Sequence, residues 1–145
     1  IITMNNLSVS NLDKLMEGIM ELRKTYSKDF QRVWFDTPVL RTPAWQSMQL
    51  LSEPYAMKLN SIKEWMNDNL ETEDDLYHGF KDYEVKRLER DIKWVQEPLS
   101  NEYVNNQKAD FYRFFSESDK RHGTDFLSVF PEMNEWWNEC KYYIE

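Results

Sequence analysis

Residues 32–40 read Arg-Val-Trp-Phe-Asp-Thr-Pro-Val-Leu and carry β-branched and aromatic side chains on both faces. A strand that is apolar on both faces is typical of a parallel sheet covered by helices. The pattern therefore predicts a strand over residues 32–40. Its pairing should end near Pro38, because proline has no N–H to donate to a neighbouring strand.

The residues upstream of this stretch complete a larger unit. Residues 1–6 (Ile-Ile-Thr-Met-Asn-Asn) are rich in β-branched and apolar side chains, which predicts a second strand. Between the two strands, apolar residues recur at helical spacing up to about Tyr26, which predicts an amphipathic helix. Strand, helix and strand form a βαβ unit with a right-handed crossover.

Two strands alone make a poor sheet, since both edges stay open. Either the chain dimerises through the open strand edge or further strands lie upstream. The chain starts at Ile1, inside an apolar strand and without an initiator Met. We therefore expect that the missing strands lie upstream.

Helix signals dominate the sequence after the second strand. Ser52 and Pro54 open one predicted helix, Asp82 opens another that Pro98 ends, and later helices follow up to the C-terminus. The predicted fold class is an α/β start, the βαβ unit, followed by a mostly α-helical C-terminal region. We expect two parts, residues 1–51 and residues 52–145.

Composition excludes several classes of protein. The net charge of −8, with no stripe of Lys or Arg, disfavours nucleic acid and anionic membrane surfaces as partners. No apolar run is long enough for a membrane span. One cysteine, Cys140, cannot form an internal disulfide, which suits the cytoplasm.

The sequence contains no self-sufficient catalytic motif. His78 and His122 are the only histidines, and neither has a partner at metal-ligand spacing. A glycine-rich phosphate loop and a Ser-His-Asp pattern are also absent from the sequence. The acidic residues near Glu71 read as a solvated loop, and no metal ligand or catalytic residue is predicted.

Five positions are candidates for binding. Asn5, Ser8, Thr37 and Arg41 lie at or beyond the C-terminal ends of the two predicted strands, the edge where parallel α/β folds place their ligands. A strand-end turn is the alternative role for Thr37. Helix capping is the alternative role for Ser8. Arg121 lies in a polar cluster before a glycine, where it either contacts an anion or substrate, or completes a helix C-terminus.

Several stretches together resemble a known family. They are Thr-Met-Asn-Asn-Leu-Ser at residues 3–8, the stretch at residues 32–43, Asp-Phe-Tyr-Arg-Phe-Phe at residues 110–115, and Phe-Pro-Glu at residues 130–132. In this combination the chain resembles the C-terminal portion of radical S-adenosylmethionine (radical SAM) proteins of marine microbes and their phages, a group with so-called twitch domains.

The resemblance implies a six-stranded partial barrel with a helical cap. It also implies a [4Fe–4S] cluster, held by a three-cysteine loop, that cleaves S-adenosylmethionine to a 5′-deoxyadenosyl radical. One cysteine cannot hold that cluster or an auxiliary one. The loop and the N-terminal barrel portion would then lie upstream of Ile1. In this interpretation Asn5 and Ser8 contact the cofactor, and the backbone around Leu40 and Arg41 packs on its adenine.

Three functions therefore stay open. The first is a C-terminal fragment of a radical SAM enzyme, barrel wall and helical cap, without activity on its own. The second is a stand-alone acidic, helix-rich module that binds other proteins. The third is a fragment of an unrelated α/β hydrolase or transferase.

Overall fold

A computed structural model describes residues 1–144 of the chain. Its α-helices are α1 (Leu12–Tyr26), α2 (Glu53–Asp68), α3 (Asp82–Val95), α4 (Asn101–His122), α5 (Phe126–Val129) and α6 (Asn134–Tyr142). Short 3-10 helices cover Ala44–Gln46, Met48–Leu50 and Pro131–Met133.

The predicted α/β start is wrong. The structure is 62% helical, and residues 1–144 contain no β-strand and no sheet. The two segments that were predicted as strands form one parallel bridge, Met4 to Val39, and Ile2 N–H also donates to Asp36 O at 2.8 Å. Met4 N–H donates to Pro38 O at 2.7 Å, and Leu40 N–H donates to Met4 O at 2.8 Å.

Features of both segments explain why this pairing is short. Pro38 has no N–H to extend the ladder, and the first segment turns away at Asn5, whose backbone N–H donates to Ser8 Oγ. Trp34 is 62% exposed, so the second segment is not covered on both faces. From Asp36 onward this segment packs along α3, beginning with the ion pair of Asp36 and Arg87. The fold is therefore all-α, and the predicted βαβ unit and barrel end do not form.

Most helix predictions agree with the structure. α1 ends at Tyr26, and Gly123 ends α4 in the left-handed conformation with φ 64°. α4 begins at Asn101, behind a cap in which Tyr103 N–H donates to Ser100 Oγ. Its first turn is polar and exposed, so hydrophobic periodicity does not reveal it.

Aromatic side chains form the centre of the C-terminal core. The ring of Phe111 contacts those of Phe115, Phe126 and Trp136, with centroids 4.7–5.7 Å apart. Phe111 and Cys140 are fully buried. The hydrophobic core includes residues from both predicted parts of the chain, and the division at residue 51 stays a prediction.

A buried ion pair fixes the position of α3. Arg23 on α1 and Glu84 on α3 form a bidentate pair with distances of 2.7 and 2.9 Å, and both side chains are 0% exposed. The same guanidinium donates to Val33 O and Gly79 O, each at 3.1 Å. α1, the segment after it, the loop before α3 and α3 itself are thus held by one side chain.

Candidate functional site

The extended segment at residues 36–41 lies against one stripe of α3. The Arg87 guanidinium forms an ion pair with Asp36 at 3.0 Å. Further along, the Arg41 guanidinium carbon lies 5.2 Å from the ring centroid of Trp94. Positions 87, 91 and 94 lie on one face because residues three and four apart are neighbours on a helix. The segment is therefore placed by polar and cation–aromatic contacts with α3.

Beside this stripe a cleft opens, which we call the α3 cleft. It has a volume of about 580 Å³, within the range of small-molecule sites. Three cationic side chains line it, with one indole ring, and Pro38 and Val39 form part of its wall. The cations are Arg41, Arg90 and Lys93, and the indole belongs to Trp94. Two acids, Asp91 and Glu97, also line the cleft, so its three cations outnumber its acids by one.

Asp91 lies in the same wall and is only 2% exposed. Burial raises the pKa of Asp91 to about 6, and the Thr37 hydroxyl and the Arg90 guanidinium lower it by less. Arg90 Nε is 3.9 Å from Asp91 Oδ1, too far for a hydrogen bond. Within residues 1–144, Asp91 Oδ2 and Thr37 Oγ1 have no partner at full hydrogen-bond geometry. Asp91 is therefore a buried carboxylate that is poorly compensated.

The structure places one of the predicted binding residues, Arg41, with its side chain in the α3 cleft. Asn5 and Ser8 instead form a turn: Leu7 N–H donates to Asn5 Oδ1 at 2.8 Å, and Ser8 Oγ donates to Thr3 O at 3.1 Å. Leu40 donates its backbone N–H to Met4. The polar groups of Asn5 and Ser8 are thus engaged within the turn.

Arg121 lies at the exposed end of α4. Its Nε donates to Glu117 Oε1 at 3.0 Å, one helical turn earlier. Arg121 does not line the α3 cleft. The structure therefore agrees with the helix-terminus role of Arg121, and does not bring it together with Arg41.

Sequence reasoning missed Asp91, Trp94, Arg90 and Lys93. One signal was available, because Asp91 lies three residues after Leu88 and four before Val95, both of which are buried on α3. A charged residue at core spacing of an amphipathic helix is unusual, because a charge is rarely buried without a partner. Arg41 lies beside this part of α3 because of tertiary packing, and no local pattern in the sequence predicts that contact.

The described residues do not fit an iron–sulfur cluster. Such a cluster needs several cysteine thiolates, and Cys140 is the one cysteine of the sequence. Its side chain is fully buried on α6, and burial raises the pKa of its thiol. Among residues 1–144, no three His, Cys, Asp or Glu side chains are arranged to hold a metal ion.

No helix within residues 1–144 is long and apolar enough to cross a membrane.

Comparisons of the chain with family models, curated proteins and solved structures find no match. The resemblance to radical SAM proteins therefore stays a prediction. The α3 cleft is the feature of the chain from which a function can be inferred.

Proposed function

We propose that the chain is a binding domain whose α3 cleft holds a small anionic ligand. The observation that carries this proposal is the convergence of three cations on one aromatic-lined cleft, in a chain whose net charge is −8. A cleft in which positive charges outnumber negative ones attracts anionic ligands. Phosphate and carboxylate groups are the anions that guanidinium and ammonium groups bind most strongly.

The pairing of the other cations supports this proposal. Acidic side chains are in excess, and many Lys and Arg residues contact one; examples are Arg23 with Glu84 and Lys81 with Glu71. Within the described part of the chain, neither Arg41 nor Lys93 has an acidic oxygen within 4.0 Å. Their charges therefore remain available to an anion in the α3 cleft.

Trp94 supplies a flat surface in the same cleft. The Arg41 guanidinium lies over this ring, and a planar ring of a ligand can stack on either group. The cleft volume, about 580 Å³, is sufficient for a ligand of mononucleotide size. We therefore choose AMP as the first probe. Adenosine, which lacks the charged phosphate, and inorganic phosphate, which lacks the ring, are its two comparison compounds.

Calorimetric titration with these probes tests the proposal. AMP should bind more tightly than adenosine or phosphate, and Arg41→Ala and Lys93→Ala should each weaken its binding about tenfold, the loss of one charge-assisted hydrogen bond. Added NaCl should weaken binding, because these cations are exposed. The matched control is Lys28→Ala, an exposed lysine that does not line the cleft. The proposal fails if none of the three probes binds, or if the control weakens binding as much as the cleft variants.

A buried carboxylate at this position should lower the stability of the protein. Folded Asp91 keeps its proton up to pH about 6, whereas an unfolded aspartate loses it near pH 3.8. The folded state therefore binds more protons in this window, and its stability should fall as pH rises from 3.8 to about 6. A buried carboxylate with a raised pKa in a cleft is a candidate functional residue.

Asp91→Asn is therefore expected to stabilise the protein at pH 7 by about 1–3 kcal/mol, because the amide is uncharged and keeps the shape of the side chain. Urea denaturation at several pH values measures this. The variant should also lack the fall in stability between pH 3.8 and about 6. Asp74→Asn, in an exposed loop, is the control and should change neither result. A destabilised Asp91→Asn variant would show that the carboxylate has a strong partner in the folded state.

S-adenosylmethionine is the probe for the resemblance to radical SAM proteins. Because the chain has no three-cysteine loop, that interpretation predicts weak binding or none. Tight binding that Arg41→Ala removes would instead assign the α3 cleft to this cofactor. We expect the site to operate in the cytoplasm, where a lone thiol stays reduced.

A further inference from the structure

The solvent-facing side of α1 carries an apolar stripe beside two opposite charges. Leu15, Leu22 and Tyr26 are 44%, 47% and 60% exposed. Lys14 and Glu21 are exposed along the other border of the same face. Their spacing, by three, four and seven residues, places them on one side of the helix. We call these residues, with Gly18 at their centre, the α1 outer face.

Gly18 has no role within the described fold that requires a glycine. A Cβ atom added there would have no heavy atom within 4 Å, and a glycine inside a helix lowers its stability. Glycine does allow another backbone to approach closely. The position of Gly18, at the centre of an exposed apolar face, therefore points to a second helix that crosses there.

The α1 outer face is complementary to itself. If two copies cross antiparallel at Gly18, a residue a few positions before Gly18 meets one a few positions after it in the other copy. Leu15 then packs against Leu22 of the second copy. On the other border, Lys14 meets Glu21 of the second copy. Two-fold symmetry repeats both contacts, so that the interface contains two leucine pairs and two ion pairs.

The charges on this face are available for such pairing. Within residues 1–144, Lys14 has no acidic oxygen within 4.0 Å. Glu21 contacts Lys24 at 3.8 Å; the Glu21 side chain is 74% exposed and that of Lys24 is 45% exposed. Exposed pairs of this kind contribute little and exchange partners readily.

We infer that the chain forms a two-fold symmetric dimer in which the α1 outer faces cross antiparallel at Gly18. The occupant of this face is a second copy, because its leucines and its opposite charges are placed to meet themselves. This inference is independent of the ligand in the α3 cleft, since no residue is shared between the two surfaces.

Analytical ultracentrifugation of the full chain over a concentration series tests the inference. The wild type should show a monomer–dimer equilibrium, and Leu22→Glu should raise the dissociation constant at least about a hundredfold, as truncation of central interface residues does. Lys14→Glu places like charges opposite each other and should weaken the dimer about tenfold. The double variant K14E/E21K reverses both charges and should restore the wild-type constant.

Two further results complete the test. Lys28→Glu changes the net charge by the same amount as Lys14→Glu but lies outside the α1 outer face, so it should leave the equilibrium unchanged. All substituted residues are exposed, and circular dichroism should show unchanged helix content. A wild type that stays monomeric up to about 1 mM, or a dimer that Leu22→Glu and Lys14→Glu leave intact, would overturn the inference.

Discussion

Arg23→Met is expected to lower the free energy of unfolding by about 3–5 kcal/mol, the usual effect of removing one partner of a buried ion pair. The substitution leaves the Glu84 carboxylate buried without its cation, because both side chains are 0% exposed. It also removes the donors to Val33 O and Gly79 O. Methionine keeps the length and apolar stem of arginine. The loss of stability therefore measures the removed charge and hydrogen bonds more than a change in side-chain volume.

Urea denaturation of Arg23→Met measures this loss, and an exposed ion pair supplies the control. Arg121→Met removes the cation of the Arg121–Glu117 pair, whose side chains are 73% and 54% exposed. That change should lower stability by less than about 0.5 kcal/mol. The double variant R23M/E84M should recover part of the loss, because no unpaired charge stays buried. A loss below about 1 kcal/mol for Arg23→Met would mean that the pair is open to solvent.

Gly79→Ala should have the second-largest effect, a loss of about 3 kcal/mol or more, at the upper end for overpacking. An added Cβ would lie 2.5 Å from Asn69 O and 2.6 Å from Glu71 N. These are backbone atoms that pair with Phe80: Phe80 N–H donates to Asn69 O, and Glu71 N–H donates to Phe80 O, both at 2.9 Å. Because backbone cannot rotate away as a side chain can, the substitution must separate these two stretches.

The matched control for Gly79→Ala is Gly18→Ala. At Gly18 a Cβ meets no heavy atom within 4 Å, and alanine in the middle of α1 should raise stability by about 0.5–1 kcal/mol. Thermal unfolding at low protein concentration, where the chain is monomeric, compares the two variants. Opposite signs are expected. A neutral Gly79→Ala would show that the loop before α3 lies further from Asn69 than the structure places it.

The helices of the fold could be predicted wherever a local signal exists. α1 and α3 have clear amphipathic patterns, and Gly123 marks the end of α4. The first turns of α4 have no such signal, because they are polar and depend on the Ser100 cap. Hydrophobic pattern predicts a helix well when one face is buried, and poorly when a helix extends into solvent.

The two predicted strands show where local pattern fails. A β-rich composition becomes a strand only with a partner along its whole length. Residues 1–6 and 32–40 share one bridge, from Met4 to Val39, and a backbone hydrogen bond from Ile2 to Asp36. The second segment is also held by α3, through contacts such as Asp36 with Arg87. The composition of a segment does not reveal whether a helix or another strand will pair with it.

The candidate site could be predicted only in part, because the sequence does not reveal that the second segment packs on α3. Arg41 lines the α3 cleft, although the sheet edge from which it was predicted does not form. Trp94, which the Arg41 guanidinium contacts, and Asp91 of the same cleft lie about fifty positions later in the chain, and only the packing of that segment on α3 brings them together. Asp91 at a core position of α3 was the one local indication that this helix has a role besides packing.

An NMR titration of the isotopically labelled chain with AMP tests the proposed binding site most directly. Backbone amide shifts should change in a saturable manner at residues 39–41 and 90–97, which flank the α3 cleft, and stay constant along the α1 outer face. Arg41→Ala should remove most of these changes. Shifts that stay constant at the cleft, or that change only in other parts of the chain, would contradict the proposal that this cleft binds a small anion.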